Sequence, residues 1–421
     1  VTLASGATQS GFGRTGTVDW QTTVKTANFT AANGEGYFVN TTSGGITVTL
    51  PAGSAGDIVA FKDYANTWDT NAVTITPNGT DKINGINANA TLTTESQSVT
   101  LIFIDSTKGW LDVHDSTSNV SGASFITATG GTITTVCTNY KVHTFTGPGT
   151  FTVCSVGNPS GSDTVSYMVV AGGGGGGGSV SGTNGGAGGG GAGGFREGRT
   201  SQCNSWSASP LVCTTGCNAG IPVTAQGYPI TVGSGGAGNS ADNGTSGNNS
   251  IFSTITSTGG GGAGGRSTAD PGGNGSNGGS GGGGGHGTTG AAHPAGTGNT
   301  PPVSPPQGNN GQAFPGPGGG GGGGATAAGS GQTGGAGATS SINGTPTARA
   351  GGGAGGSGPD GDGTGGTGGG GPGEGTAGQT GTAGTANTGG GGGGSGNANG
   401  TPALAGAAGG SGIVIIRYRF Q

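Results

Sequence analysis

The sequence predicts an all-β protein: a small N-terminal β-domain followed by a β-sandwich with a large polyglycine II helix bundle inserted between its strands. Three observations predict it. Apolar residues alternate with threonine at period two from about Thr17 to His114. Glycine makes up 113 of 421 residues and comes in blocks such as Gly172 to Gly178, Gly281 to Gly285 and Gly318 to Gly324. The chain closes on Ile413-Val414-Ile415-Ile416-Arg417-Tyr418, whose apolar residues fall on both faces of a strand.

Taken in order, residues 1–16 are expected to be a lead that connects to a fibre, 17–115 a β-domain, 116–124 a small polar linker, and 125–421 the glycine-rich sandwich. In the first domain Ile46, Val48 and Leu50 share a face, as do Val73 and Ile75, and Val99, Leu101 and Phe103. Turn residues such as Ser43-Gly44-Gly45 and Pro77-Asn78-Gly79 separate these runs. In the second domain, Lys141 to Thr146 and Thr150 to Cys154 flank Gly147-Pro148-Gly149 and read as a hairpin. Val165 to Val170 then runs into seven glycines. Short strands are expected at Pro229 to Val232 and Ile251 to Ile255.

A final strand with two apolar faces must return to the sheet that Tyr167 to Val170 left, so 171–412 is an excursion whose ends meet. Closing a loop of ~240 residues costs little more than closing a short one, but structureless loops beyond about 15 residues are uncommon in compact domains. A left-handed helix with three residues per turn has no internal hydrogen bonds, and its N–H and C=O groups must find partners elsewhere. Rods of this kind packed side by side satisfy one another, and glycine permits the close approach. At least nine glycine-dense stretches, starting near Gly172, Gly185, Gly259, Gly272, Gly318, Gly334, Gly351, Gly365 and Gly389, each read as one rod. Collagen is excluded, because no Gly-X-Y period is sustained along the chain.

Composition narrows function. Net charge is −5 with scattered basic residues, so neither nucleic acid nor an anionic membrane is an expected partner. Apolar runs fall far short of the roughly 20 residues that span a bilayer. The sequence opens at Val1 without a methionine or an apolar leader, as a fragment or processed product would. Four histidines, His114, His143, His286 and His293, are too dispersed for a catalytic or metal cluster, and no enzyme activity, cofactor or metal is expected. Asp360-Gly361-Asp362-Gly363-Thr364-Gly365 opens like a calcium loop, but Gly371 stands where the closing glutamate belongs, so it reads as a solvated turn. Cys137, Cys154, Cys203, Cys213 and Cys217 are disulfide candidates of undetermined connectivity, with free thiols the alternative.

Tyr167-Met168-Val169-Val170-Ala171 before polyglycine, Gly193-Gly194-Phe195-Arg196, Tyr228 to Gly233 before Ser234-Gly235-Gly236-Ala237-Gly238, and Gly409 to Tyr418 occur in that order. The series resembles the glycine-rich domain of phage structural and tail-fibre proteins. Phe29-Thr30-Ala31, Gly36-Tyr37-Phe38-Val39-Asn40 and Thr47 to Ala52 are similar to β-domains of phage fibres. The bundle itself is similar in architecture to the tip adhesins of T-even-like phages, whose loops between rods bind the host receptor. These resemblances imply a distal tail-fibre attachment protein on the virion, homotrimeric, joined to an upstream fibre or tail protein. Its partner is a bacterial surface receptor, an outer-membrane protein or a glycan.

Side chains that break the glycine pattern are the receptor-binding candidates: Asn204, Trp206, His286, His293, Phe314 and Arg349. For Trp206, packing back onto the sandwich is the competing reading. Thr300 to Pro306 reads as a stiff turn between rods. Two other functions compete with attachment. A filament or sheath subunit would form an open helical array, and an ice-binding face would need a regular threonine ladder that the irregular blocks lack.

Overall fold

The computed structural model describes residues 18–116, 123–158, 161–180, 185–216, 219–240, 242–266, 273–287, 292–313, 316–356, 363–374, 380–397 and 402–421. Among these residues there are strands and no helix, and the protein is all-β. It divides into two compact units, Val1–Ser121 and Gly122–Gln421.

In the first unit the chain alternates between two sheets. Asp19–Lys25, Glu35–Val39 and Ile58–Asp63 pair in parallel in one sheet. Phe29–Thr30, Ile46–Thr49 and Val73–Thr76 pair in parallel in the other. A strand that returns to its sheet after visiting the opposite one arrives in the same direction, hence the parallel pairing. Ala90–Leu92 closes the second sheet and the hairpin Ser98–Asp105 with Gly109–Ser116 closes the first, all antiparallel. Ile46, Val48, Leu50, Val73, Ile75, Val99, Leu101 and Phe103 all lie in the core between the sheets, around Trp68 and Trp110. The buried Asp63 carboxylate accepts from the N–H groups of Ala65 and Thr67 on one oxygen and of Trp68 and Ser96 on the other. That fixes the turn which delivers Trp68 to the core.

The second unit is a sandwich. One sheet runs Thr132–Val136, Tyr140–Phe145, Ile413–Arg419, Thr164–Val170, Phe195–Gly198, Val212–Cys213, with Ile221–Pro222 also on Thr164–Val170. The other runs Thr127–Thr129, Gly149–Ser155, Gly227–Thr231, Ser250–Phe252, Ile255–Ser257. The last strand does return beside the one that led out, antiparallel, from Ser166↔Arg417 to Val170↔Ile413. Both are covered on two faces. Tyr167, Val169, Val414, Ile416 and Tyr418 join Phe145, Phe151 and Phe252 between the sheets. Met168, Val170, Ile413 and Ile415 face a second core with Phe195, Trp206 and Ile342.

The expected hairpin at 141–154 does not form. Tyr140–Phe145 belongs to the first of these sheets and Gly149–Ser155 to the second, so Gly147-Pro148-Gly149 is a corner between layers. The reason is apolar burial: Phe145 and Phe151 enter the same core from opposite sheets.

Between 171 and 412, the described glycine-rich segments form rods whose hydrogen bonds recur every three residues. In the rod 186–194, the N–H groups of Gly188, Gly191 and Gly194 donate to Gly264, Gly261 and Thr258. Those of Gly186, Gly189 and Ala192 donate to Pro317, Gly320 and Gly323, and those of Ala187, Gly190 and Gly193 to Ser395, Gly392 and Gly389. Its carbonyls accept from 171–177, 280–286 and 353–356. Six rods therefore surround it. They are 171–179, 258–266, 280–286, 317–325, 350–356 and 389–395, and each bonds to the next around a closed ring. Partners thus recur every three residues and lie on every side of the rod. Further rods, among them 234–240, 242–248, 380–385 and 404–412, flank this ring.

Candidate functional site

The rods have a near end and a far end. Ala171 continues Thr164–Val170 and Gly194 leads into Phe195–Gly198, so those termini sit on the sandwich. The opposite termini include Ser179, Gly185, Arg266, His286 and Gly396. Isolated bridges tie Ser179 to Leu404, Ser240 to Ala405 and His286 to Ala292, and Gly185–Gly186 pairs with Gly396–Asn397. The chain leaves and re-enters the described residues at this end, through 181–184, 267–272, 288–291, 314–315, 357–362, 375–379 and 398–401.

The six receptor-binding candidates do not form one group. Asn204, Trp206 and Arg349 lie on the sandwich side. Asn204 is exposed. Trp206 is buried in the second core, its Nε1–H donating to the Cys203 carbonyl at 3.0 Å, with the Arg199 guanidinium 6.0 Å from its ring. Trp206 thus packs against the sandwich, the competing reading of this residue. Arg349 is buried too, with Nη1 3.8 Å from the Met168 sulfur. Burial lowers its pKa, and the neighbouring Glu197 charge opposes that shift. His286 and His293 are at the far end, the first buried and the second half-buried. Phe314 lies outside the described residues, as do Cys217 and the 360–362 part of the calcium-like loop.

Cys137, Cys154, Cys203 and Cys213 are free, against the expectation of disulfides. Cys137 is exposed in the turn before Tyr140–Phe145, and Cys154 is exposed on Gly149–Ser155 in the facing sheet. Cys203 is buried beneath the sandwich. No group of three or more His, Cys, Asp or Glu side chains among the described residues could hold a metal.

Sequence reasoning passed over Arg266. It is the only Lys or Arg between Arg199 and Arg349, a signal that was available. Arg266 is 3% exposed, and among the described residues its Nε and Nη1 have no hydrogen-bond partner. Burial lowers its pKa. His286 beside it is pushed down by burial first and then by the charges of Arg266 and His293.

Two family models match the chain. The glycine-rich domain covers residues 145–419, and the N-terminal domain of bacteriophage T4 gp9/10-like proteins covers 5–145. No curated protein matches. The chain belongs to the glycine-rich domain family. Together the two matches point to a structural component of the phage tail. The N-terminal match extends past the first unit, to the end of Tyr140–Phe145, so it takes in strands that are built into the sandwich.

Proposed function

We propose that this chain is a receptor-binding protein of the distal tail fibre, with recognition carried by the far end of the glycine bundle. The observation that carries this reading is the ring of rods. Seven mutually bonded segments hold their far termini in fixed positions, and successive connections of different sequence spring from those termini. Short connections on a rigid frame can vary without cost to the frame. The rods themselves present backbone, which cannot discriminate between ligands. In this reading the rods are polyglycine II helices and three chains assemble around a common axis. The N-terminal unit joins the upstream fibre or tail protein, consistent with its match to a tail-protein domain.

The test replaces the far-end connections 267–272, 288–291 and 357–362 with Gly-Ser segments of equal length, leaving the rods intact. Folding and fibre assembly are expected to persist while adsorption to host cells is lost or redirected. Unchanged adsorption and host range would move recognition to the N-terminal unit. Native mass measurement checks the trimer, and a monomer would refute it.

A further inference from the structure

We propose that the far end of the bundle binds one small oxyanion of the phosphate or sulfate class, held by Arg266 and His286 over Gly185. The first ground is a set of buried polar atoms without partners. Among the described residues, Arg266 Nε and Nη1, His286 Nδ1 and, on the adjoining rod, Ser179 Oγ are buried and have no hydrogen-bond partner. Arg266 is 3% exposed, His286 8% and Ser179 0%. A buried guanidinium without an acceptor is costly, because the lost hydration is not replaced.

The second ground is convergence. A Cβ placed on Gly185 would lie 2.6 Å from Arg266 Nε and 2.9 Å from His286 Nδ1. The two nitrogens thus lie against the same glycine and no farther apart than the sum of those two distances, a separation that one tetrahedral oxyanion bridges by accepting from each. Gly185 opens the central rod, and Arg266 and His286 end two neighbouring rods of the ring. Their backbones are pinned, Arg266 N–H to Gly178 O at 2.8 Å and His286 N–H to Gly186 O at 3.2 Å. The donors are therefore preorganised.

The third ground is charge. Arg266 remains cationic at any ordinary pH, and among the described residues no carboxylate contributes to its pKa, which burial lowers. An anion supplies the missing counter-charge. It would also favour the protonated form of His286, which burial and Arg266 disfavour, so binding takes up a proton as pH falls toward the ordinary histidine range. A water molecule could accept from the same donors but would leave the charge uncompensated. This site is independent of the attachment reading and stands or falls separately.

The experiment uses the full chain with inorganic phosphate, sulfate and chloride at equal ionic strength. Phosphate and sulfate are expected to raise the melting temperature saturably over chloride, and phosphate to broaden its own 31P resonance. The His286 ring titration should move to higher pH when phosphate is present. Arg266→Gln and His286→Phe should each weaken binding at least tenfold while leaving the amide spectrum of the sandwich unchanged. Should Arg266→Gln fail to fold, Gly185→Ala tests the same point, since its methyl group crowds both nitrogens. A phosphomonoester sugar tells the source: binding tenfold weaker than inorganic phosphate assigns a free ion, and equal binding assigns an anion presented by a glycan, and either supports the site. Equal melting in phosphate and chloride with an unbroadened 31P line, or wild-type affinity in Arg266→Gln or Gly185→Ala, overturns it.

Discussion

In the middle of an inner rod, a glycine faces the backbone of neighbouring rods. A Cβ on Gly188 would lie 2.2 Å from the Gly283 carbonyl oxygen, and one on Gly176 2.0 Å from that of Gly393. Neither neighbour is a flexible side chain that can swing away, so accommodating even a methyl group means separating two rods. Gly188→Ala is expected to cost at least about 1–3 kcal/mol in urea unfolding, as overpacking does. Ala383→Val, on an exposed rod, should stay within about 0.5 kcal/mol. The same scarcity of space explains why some of the candidate side chains are buried. Large and hydrogen-bonding residues looked available for a receptor because they interrupted glycine. In a chain only 28% apolar, they are needed inside, and Trp206 and Arg349 serve beneath the sandwich. Their burial depends on contacts across more than a hundred residues, which local sequence does not display.

His143 adds a pH-dependent contribution at this scale. It is fully buried between the Gly130 carbonyl, 2.7 Å from Nδ1, and the Tyr418 hydroxyl, 3.2 Å from Nε2. Burial pushes its pKa below the ordinary 6.5, the Gly130 carbonyl opposes this, and the Lys141 charge adds to it. With the folded value depressed, the unfolded chain binds the proton more tightly. The stability contribution is whole above about pH 6.5 and is lost as pH falls through the folded value. His286 shifts in the same direction. Denaturation midpoints should therefore decline between pH 7 and 5, and His143→Phe should flatten part of that slope. An unchanged slope in the variant would show that His143 does not carry it.

At the scale of elements, what could be read depended on how much glycine each rod requires. Inner rods touch neighbours all round and need small residues throughout, so 172–178 and 318–324 announce themselves as blocks. Outer rods need glycine only where they face inward. In 242–248, Gly244 and Gly247 each have a carbonyl 2.2 Å from where a Cβ would sit, while Thr245, Ser246 and Asn248 are exposed. That period of three is too short-lived to stand out, and rods such as 234–240 and 404–412 escaped a count based on glycine density. Strands fared better, since alternation marks their buried face directly, as with Ile46, Val48 and Leu50. Pairing was harder: nothing in 141–154 distinguishes a hairpin from a corner between sheets. A net backbone hydrogen bond contributes about 0.5–1.5 kcal/mol, and ordering a residue costs about 1–2 kcal/mol, so no rod stands alone. Protection should therefore grade outward. Amides of 186–194 should exchange only through global unfolding, and those of 242–248 at least tenfold faster by local opening. Uniform exchange across both rods would contradict the layered arrangement.

For the whole molecule, the decisive feature is that the bundle begins and ends on adjacent strands. Val170 pairs with Ile413, and the Gly412 N–H donates to the Gly233 carbonyl at 2.8 Å. The apolar cores on both faces of Thr164–Val170 and Ile413–Arg419 supply the stabilisation that the rods lack, because burying each large apolar side chain is worth about 1.5–3 kcal/mol. The rods should then depend on the sandwich, while the first unit, with its own core around Trp68 and Trp110, should not. Ending the chain after Gly412 removes the central strand between Tyr140–Phe145 and Thr164–Val170 and opens both cores of the second unit. Calorimetry of the full chain is expected to show separate transitions for the two units. The shortened chain should keep the transition of the first unit and lose the other entirely, along with the slow amide exchange of 186–194. If those amides stayed protected without Ile413–Arg419, the bundle would be a self-sufficient element, and the returning strand would be a convenience of topology rather than the element that holds the glycine rods together.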